Sequence, residues 1–312
     1  MSCFAQGSKS GLSYATQVDY NTVATTGFKS LPYTSHTLNL SKERVQSTDQ
    51  EPDRMLRHDR HGNRSVGGDV VFDLRADVYD EMLESVMFGT WDDTPIGPDE
   101  LKFGSTQKFF TIEDYASNID QARVFSGMTV SQASFSIKPN QMINTTMSFI
   151  GKDMTITQTE QTVTAAALNS PFDSYSGALE VGDNGGALSS IATVTGIDFS
   201  INNSVAPTFV VGSATSQCFE YGMAQVEGTI TAYFKDLTLV DRFIDEVESA
   251  LKVTTNDPTA LNEYGFFFPR VKFNDAAVPV SSPTSRIITI PFVALYDATE
   301  ESSLVITRPD TT

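Results

Sequence analysis

Apolar and polar residues alternate along much of this chain of 312 residues. The alternation is clearest in five segments, 66–74, 128–137, 144–150, 226–234 and 287–293. Successive side chains of a β-strand point to opposite faces, so a period of two predicts strands that bury one face and expose the other. The pattern therefore predicts a mainly β fold, in which the remaining elements must cover or connect sheets.

Two segments have the period of a helix instead. In 77–87, Val78, Met82 and Val86 share one face, and Gly89 stands where a helix would end. The second segment, 238–251, repeats this spacing with Leu239, Phe243, Val247 and Leu251. We expect each segment to form one short amphipathic helix that lies on a sheet.

The two helical segments belong to a longer repeat. Residues 38–41 match 199–202 at an offset of 161, and 66–70 match 226–230 at an offset of 160. The helical segments follow in the same order, and strand residues near the end of each half match at an offset of 143. A fixed order at a nearly constant offset indicates an internal duplication.

The duplication divides the chain into a first module, 1–158, and a second module, 191–312. The segment between them, 159–190, is rich in Ala, Ser, Thr and Gly. That composition is typical of a linker or a surface insertion, and a strand that joins the modules is a further alternative.

The distribution of charge differs between the two halves, and the net charge argues against one class of function. The chain has 21 Lys and Arg against 39 Asp and Glu, a formal charge of −18, which argues against sequence-specific DNA binding. Basic residues nevertheless gather in the loop 41–65, as Lys42, Arg44, Arg54, Arg57, Arg60 and Arg64. The corresponding loop of the second half, 203–225, has none.

The sequence has no signature of catalysis. Nucleotide-binding glycine motifs and the nucleophile elbow are absent, and acidic pairs are spread along the chain as on an ordinary acidic surface. His58 and His61 have HxxH spacing but lack a third ligand on a rigid element. We expect no catalytic residue, no cofactor and no metal site.

Two further features bear on location. Cys3 and Cys218 are too few for a disulfide scaffold, which favours synthesis in a reducing cytoplasm. There is no run of 18 apolar residues, so we expect no membrane insertion by this chain.

Taken together, the duplication, the strands, the two helices and the acidic charge resemble the tail tube proteins of long-tailed bacteriophages. The segment 11–32 is similar to the leader before the first strand in one subgroup of that family. The strand 38–40, the basic loop, the segment 63–68 and the helix 77–87 are similar to the central block of that subgroup. The subgroup favours a siphovirus-type phage with a flexible tail.

This resemblance implies two tandem tail-tube-type β-sandwich or barrel modules, each flanked by one short α-helix. Relatives close a ring from six single modules, so a chain with two modules would form a trimeric, pseudo-hexameric ring. Stacked rings would enclose an acidic channel in the virion tail, through which phage DNA passes without sequence-specific binding during genome ejection. Other implied partners are the terminator, tape measure and distal tail proteins, with assembly in the host cytoplasm.

The basic loop lies where relatives have an arm that contacts the neighbouring ring. The resemblance therefore implies an inter-ring or inter-subunit contact through Arg44, Arg54, Arg57, Arg60 and Arg64. A second hypothesis from another class stays open: a β-sandwich binding module, such as a capsid-decorating, receptor-binding or carbohydrate-binding virion protein.

Overall fold

The computed structural model of the protein describes residues 4–50, 52–53, 55–92, 97–167, 169–190, 193–235, 238–258, 262–276 and 285–309. Strands dominate it, as the alternation predicts, and within these residues there are two α-helices and one short 3₁₀ helix. The helices are α1 (Asp80–Met87), α2 (Thr238–Ile244) and the 3₁₀ turn Gly7–Lys9.

The strands of the first half are β1 (Ser10–Gln17), β2 (Phe28–Leu31), β3 (Ser35–His36), β4 (Asn39–Gln46), β5 (Asp59–Asp73), β6 (Asp99–Lys102), β7 (Phe109–Ala116), β8 (Gln121–Ile137), β9 (Asn144–Gly151) and β10 (Asp153–Thr157). The others are β11 (Val163–Thr164), β12 (Ala178–Asp183), β13 (Ser189–Ser190), β14 (Val194–Asn202), β15 (Ala206–Thr208), β16 (Cys218–Glu220), β17 (Gln225–Tyr233), β18 (Ser249–Asn256), β19 (Glu263–Phe273), β20 (Ile287–Ala294) and β21 (Val305–Arg308).

The first half is a two-layer β-sandwich that shares one long strand between its layers. One layer runs β4–β5–β9–β8 and the other runs β1–β7–β8–β10, all antiparallel. The N-terminal part of β8 pairs with β7 and β10, and its C-terminal part pairs with β9. Each layer buries one face against the other, which explains the alternation in these strands.

The second half repeats this arrangement strand for strand. Its layers run β14–β17–β20–β19 and β12–β18–β19–β21. The register repeats as well: Val66 lies opposite Gly151 in the first half, and Val226 lies opposite Ala294 in the second. The fold is thus mainly β and of sandwich type, as predicted, with the same pairing in both halves.

A glycine marks the same place in each half. Gly68 lies opposite Phe149, and Gly228 lies opposite Phe292. A Cβ on Gly228 would lie 2.5 Å from the Phe292 ring, so only glycine lets the ring cross the strand there. At Gly68, where φ is 144°, a Cβ would instead lie 2.6 Å from the Thr37 backbone, so the two glycines are required by different contacts.

The halves are joined into one sheet. The C-terminal part of β8 pairs with β14, from Gln132 opposite Asn202 to Ile137 opposite Ile197. Beneath this junction the Phe135 and Phe199 rings stack at 4.8 Å, and Phe266 contacts both. Burying each such ring contributes about 1.5–3 kcal/mol, so the junction is part of the hydrophobic core.

The first predicted helix is confirmed, and the second is shorter than predicted. Helix α1 ends at Met87, where Phe88 adopts the left-handed conformation (φ 51°). Helix α2 ends at Ile244, Glu246 is left-handed (φ 51°), and Leu251 lies in β18 opposite Phe268. The predicted helix extended beyond residue 244 because Leu251 fits the helical spacing. Leu251 fits the period of two in β18 equally well, and there it is buried together with Val253.

Two connecting segments contain more strand than their composition indicates. Most of the predicted loop 41–65 is a hairpin, formed by the outer parts of β4 and β5 and closed through residues 47–58. The segment 159–190 contains β12, which pairs with β18 as β1 pairs with β7 in the first half. The module limits 1–158 and 191–312 stay a prediction.

Candidate functional site

One face of the sheet that runs through both halves is polar. In β8, Ala133 and Phe135 point into the core, while Ser134 and Ser136 point to the opposite side and are partly exposed. The neighbouring strands alternate in the same way, so their polar residues meet Ser134 and Ser136 on one surface. We call this surface the polar face; it comprises Asp69, Asp73, Gln132, Ser134, Ser136, Asn144, Thr146, Ser148, Asp198, Ser200, Asn202, Glu227 and Thr229.

The polar face crosses from the first half into the second without a break. Directly opposed residues form a row across five strands: Asp73, Asn144, Ser136, Asp198 and Thr229. Directly opposed residues share a face of the sheet, so the register alone places both halves on one surface. An open groove of about 450 Å³ lies on it, lined from β8, β9, β14, β17 and β20.

Carboxylates give the polar face its negative charge, and serine hydroxyl groups donate hydrogen bonds to two of them. Ser148 Oγ donates to Asp69 Oδ1 at 2.6 Å, and Ser136 Oγ donates to Asp198 Oδ1 at 2.5 Å. Lys138 Nζ approaches Asp198 Oδ1 at 3.4 Å from the end of β8, and Glu227 is exposed. A polyanion that approaches this surface meets like charge.

The basic hairpin is the second candidate site. We use this name for 41–65, the outer parts of β4 and β5 with their connection. Most of its described side chains are exposed. The corresponding segment of the second half, 203–225, is fully described and contains only the short pair β15 and β16. The basic hairpin is therefore a feature of the first half that its counterpart segment in the second half lacks.

The structure places four of the five predicted arginines. Arg44 Nε donates to Asp59 Oδ2 at 2.5 Å across the hairpin, and Arg57 Nη2 donates to Asp53 Oδ2 at 2.7 Å. Arg60 is exposed on β5. Arg64 lies at the half-buried base, where Nη1 donates to Asp153 Oδ2 at 3.0 Å, and Arg54 lies outside the described residues. Of the four described arginines, Arg44, Arg57 and Arg60 thus lie along the exposed part of the hairpin.

The acidic residues of the polar face were not identified from the sequence. Asp69, Asp198 and Glu227 occupy the polar positions of strands whose alternation was recognised. Alternation assigns each residue to one side of its strand, but does not say which side is buried and which is exposed. The row of directly opposed residues identifies these acidic residues as one surface. That row can be recognised only when the pairing of β8 with β14 is known.

The three histidines lie in two separate segments of the chain, and their surroundings differ among the described residues. His36 is half-buried, with Nε2 3.8 Å from Asp114 Oδ2, and burial lowers the pKa of its imidazole. His58 and His61 lie on the basic hairpin. Within the described ranges no three His, Cys, Asp or Glu side chains are placed to hold a metal ion.

Residues 7–294 match the family described as "Phage tail tube protein", which is nearly the whole chain. The chain belongs to the phage tail tube protein family. Family membership gives it a structural role in the virion tail, where tail tube proteins assemble with copies of themselves and with other tail proteins.

Other comparisons of this phage tail tube family member are more distant. A chain in the cryo-EM structure of the anti-feeding prophage baseplate, 6-fold symmetrised, matches it with 12% identity and a TM-score of 0.31. The match covers 37% of the tail tube protein and 86% of the baseplate chain. A comparison with curated protein sequences gives no match. Neither described helix of the tail tube protein has the length and apolarity to cross a membrane.

Proposed function

We propose that three copies of this chain close into a pseudo-hexameric ring, and that rings stack into the tube of a siphovirus-type tail. The observation that carries the proposal is the unbroken polar face across the β8–β14 junction. Two modules with the same register, joined edge to edge, make one third of a ring that six equivalent modules would complete. The resemblance to relatives that close six single modules supports the number three.

We further propose that the polar face lines the channel through which phage DNA passes during genome ejection. A duplex carries about one negative charge per 1.7 Å of its axis, so carboxylates at the wall prevent adhesion. Asp69, Asp198 and Glu227 supply that charge, which Lys138 offsets in part beside Asp198, and the serine, threonine and asparagine side chains supply hydration. A net charge of −18 suits a channel that DNA passes through without binding, whereas it would oppose sequence-specific DNA binding.

The basic hairpin is proposed to contact the neighbouring ring. Its exposed arginines, Arg44, Arg57 and Arg60, can pair with carboxylates of an acidic partner, and such pairs mainly fix orientation. Arg54, which lies outside the described residues, is proposed to take part in the same contact. Arg64 supports the base of the hairpin through Asp153. Terminator, tape measure and distal tail proteins would meet the ends and the interior of the stacked rings.

Electron microscopy of the purified protein tests the assembly. We expect rings or hollow rods. Averaged end views should show six lobes that alternate between two kinds, three lobes from first modules and three from second modules. Mass photometry of single rings should give three times the chain mass of 34.0 kDa. Discrete monomers at high concentration, or rings of six chains, would contradict the proposal.

A further inference from the structure

The two halves differ on the outer faces of their second layers, the faces turned away from the hydrophobic core. In the first half this face carries Ser13 and Glu113, which lie directly opposite each other on β1 and β7. Their neighbours Tyr14 and Ile112 belong to the core, so Ser13 and Glu113 point outward. Both outward side chains are nevertheless buried, because other parts of the chain cover them.

One of these covering parts is the segment 158–167, which we call the strap. Gln161 N donates to Glu113 Oε1 at 3.3 Å. Within the strap, β11 adds in parallel to the edge of β2, with Val163 opposite Phe28. The strap thus crosses the outer face of the first half as an extended segment.

The register identifies the equivalent face of the second half. Directly opposed residues form matching rows: Ser30, Ser13, Glu113 and Val124 in the first half, and Ser190, Glu180, Lys252 and Phe267 in the second. Val124 and Phe267 are 143 positions apart, which is the offset of the late strands in the duplication. Lys252 therefore takes the position of Glu113.

The equivalent face is open. Within the described ranges β13 pairs only with β12, so no strand there occupies the position that β11 has beside β2. An open groove of about 570 Å³ lies on this face, and its lining includes Phe267 and Leu188. Leu188 stands two residues before the row of the second half, as Phe28 does in the first, so the groove has an apolar contact where Val163 of the strap has one.

The charge at the centre of the face is reversed between the halves. Burial raises the pKa of the Glu113 carboxyl group, and the nearby charge of Glu160 in the strap adds to this shift. Lys252 is half-buried and has no ion-pair partner among the described residues, whereas Arg308, the other basic residue of the described lining, is held by two carboxylates of the first half. An acid placed over Lys252 as Glu160 is placed near Glu113 would be attracted instead of repelled.

The other charges at the groove limit what fits. Lys102 Nζ lies 3.1 Å from Glu100 Oε2 and 3.4 Å from Glu300 Oε2, so this amine is already paired. Glu263 lines the same groove. A run of acids would meet these carboxylates, so the groove suits a segment with one acidic residue directed at Lys252.

We propose that this groove binds an extended segment of a second protein, with a single acidic side chain against Lys252 and a β-branched apolar side chain beside Leu188. The strap is the template, since Glu160 and Val163 are three residues apart on the equivalent face. An exchanged strap of another copy would leave Glu113 of its own chain uncovered, which favours a separate protein. The groove lies on the layer β12–β18–β19–β21 and not on the polar face, so this role goes beyond the proposed channel.

A labelled peptide tests the groove. The probe is a synthetic peptide with the sequence of residues 158–167, titrated against the full chain and followed by fluorescence anisotropy. We expect saturable binding and at least a tenfold loss of affinity in Lys252→Glu, because like charges then face each other. Lys252→Gln removes the charge without reversing it and should lose less. Lys42→Glu, an exposed change of equal charge on the basic hairpin, is the control and should bind as the parent does.

A second peptide, with Glu160→Lys, identifies the site that is occupied. In the groove it should bind the parent chain at least tenfold more weakly than the first peptide and regain affinity on Lys252→Glu. A peptide that displaced the strap from the first half would show the opposite preference, because Glu113 lies there. Tighter binding of the Glu160→Lys peptide to the parent chain would therefore overturn the proposal.

The remaining outcomes are equally decisive. No saturable binding, or equal binding to the parent and to Lys252→Glu, overturns the proposal. Loss of rings or of other self-association in Lys252→Glu also overturns it, since the groove would then hold a second copy of the chain. Rings of the parent chain are scored separately by electron microscopy, so a groove that binds no peptide leaves the proposed ring standing.

Discussion

At the scale of single residues, the carboxyl group of Glu113 is the clearest electrostatic feature of the first sandwich. It is 1% exposed on β7, where it accepts from Ser13 Oγ and from Gln161 N, each at 3.3 Å. Burial raises the pKa of Glu113, with a smaller contribution from the neighbouring carboxylates Glu160 and Asp114. The folded state therefore binds this proton more tightly than the unfolded state does.

Because the pKa of Glu113 is raised in the folded state, the free energy of unfolding decreases as pH rises. The stabilising contribution of Glu113 is complete below the ordinary glutamate pKa of about 4.3 and is lost as pH rises through the folded-state value. Glu113→Gln removes the ionisation and keeps an amide that can serve the same partners. We expect its unfolding temperature to exceed that of the parent by about 2 °C or more at pH 8, and the gap to close toward pH 4.

Circular dichroism melts from pH 4 to pH 8 measure this difference. Asp120→Asn, an exposed change of the same kind, is the control and should follow the parent at every pH. A constant gap between Glu113→Gln and the parent would mean that the carboxyl is not the source of the pH dependence.

At the scale of elements, the two helices differ in how much they bury. Met82, Leu83 and Val86 of α1 are fully buried, and Ser85 Oγ is 3.4 Å from Thr129 Oγ1 of β8. In α2, Phe243 is partly buried and Ile244 is 65% exposed. Duplicated helices thus carry unequal shares of core packing.

A charge placed on each helix should reveal this inequality. Met82→Asp puts an unpaired carboxylate in the core, and we expect a cost above about 4 kcal/mol and no soluble folded protein. Phe243→Asp should cost about 1–3 kcal/mol, because the carboxylate can reach water. Ile244→Asp is the matched control and should change stability by less than about 0.5 kcal/mol.

Soluble yield and urea denaturation measure the series. Equal losses for Met82→Asp and Ile244→Asp would show that the buried and exposed faces of the helices have been assigned wrongly.

The basic hairpin acts as an element of its own. Arg57→Glu with Arg60→Glu reverses two exposed charges without touching a buried contact, so each chain should fold and rings should close. We expect the number of stacked rings per particle to fall at least tenfold, because the hairpin would then repel an acidic neighbour. Negative-stain images count the stacks. Arg57→Lys with Arg60→Lys keeps the charge and should stack nearly as the parent does; full-length rods from the Glu variant would exclude this role.

At the scale of the whole molecule, the polar face and the net charge act together. Replacing Asp69, Asp198 and Glu227 by Lys adds two charges at each position and changes the formal charge of the chain from −18 to −12. If the polar face lines the channel, the resulting tubes should retain short duplex DNA at about 50 mM salt and release it near 200 mM. A filter-retention assay with labelled duplex measures the effect.

Glu160→Lys, Glu220→Lys and Asp245→Lys change the net charge equally at exposed positions off the polar face. This control should release DNA at lower salt, since an outer surface surrounds no duplex. Equal retention by the two triple variants would place the polar face outside the channel.

The sequence by itself determined the strands, the first helix, the duplication and the family. Strand and helix periods are local: Val66, Val70 and Phe72 of β5 must face one side whatever their partners. Local spacing could not predict where the second helix ends, because Leu251 fits both the helical period and the strand period. In the folded chain Leu251 pairs with Phe268 and is part of a strand.

Only the tertiary structure decided which strands are neighbours. The opposition of Gln132 and Asn202 joins residues 70 positions apart, and nothing in either segment specifies that pairing. From this one junction follows the continuity of the polar face across the two halves, while the position of Asp69 beside Ser148 follows from the pairing of β5 with β9. Alternation divides the residues of a strand between two faces, but the identity of each face depends on what the folded chain lays against it.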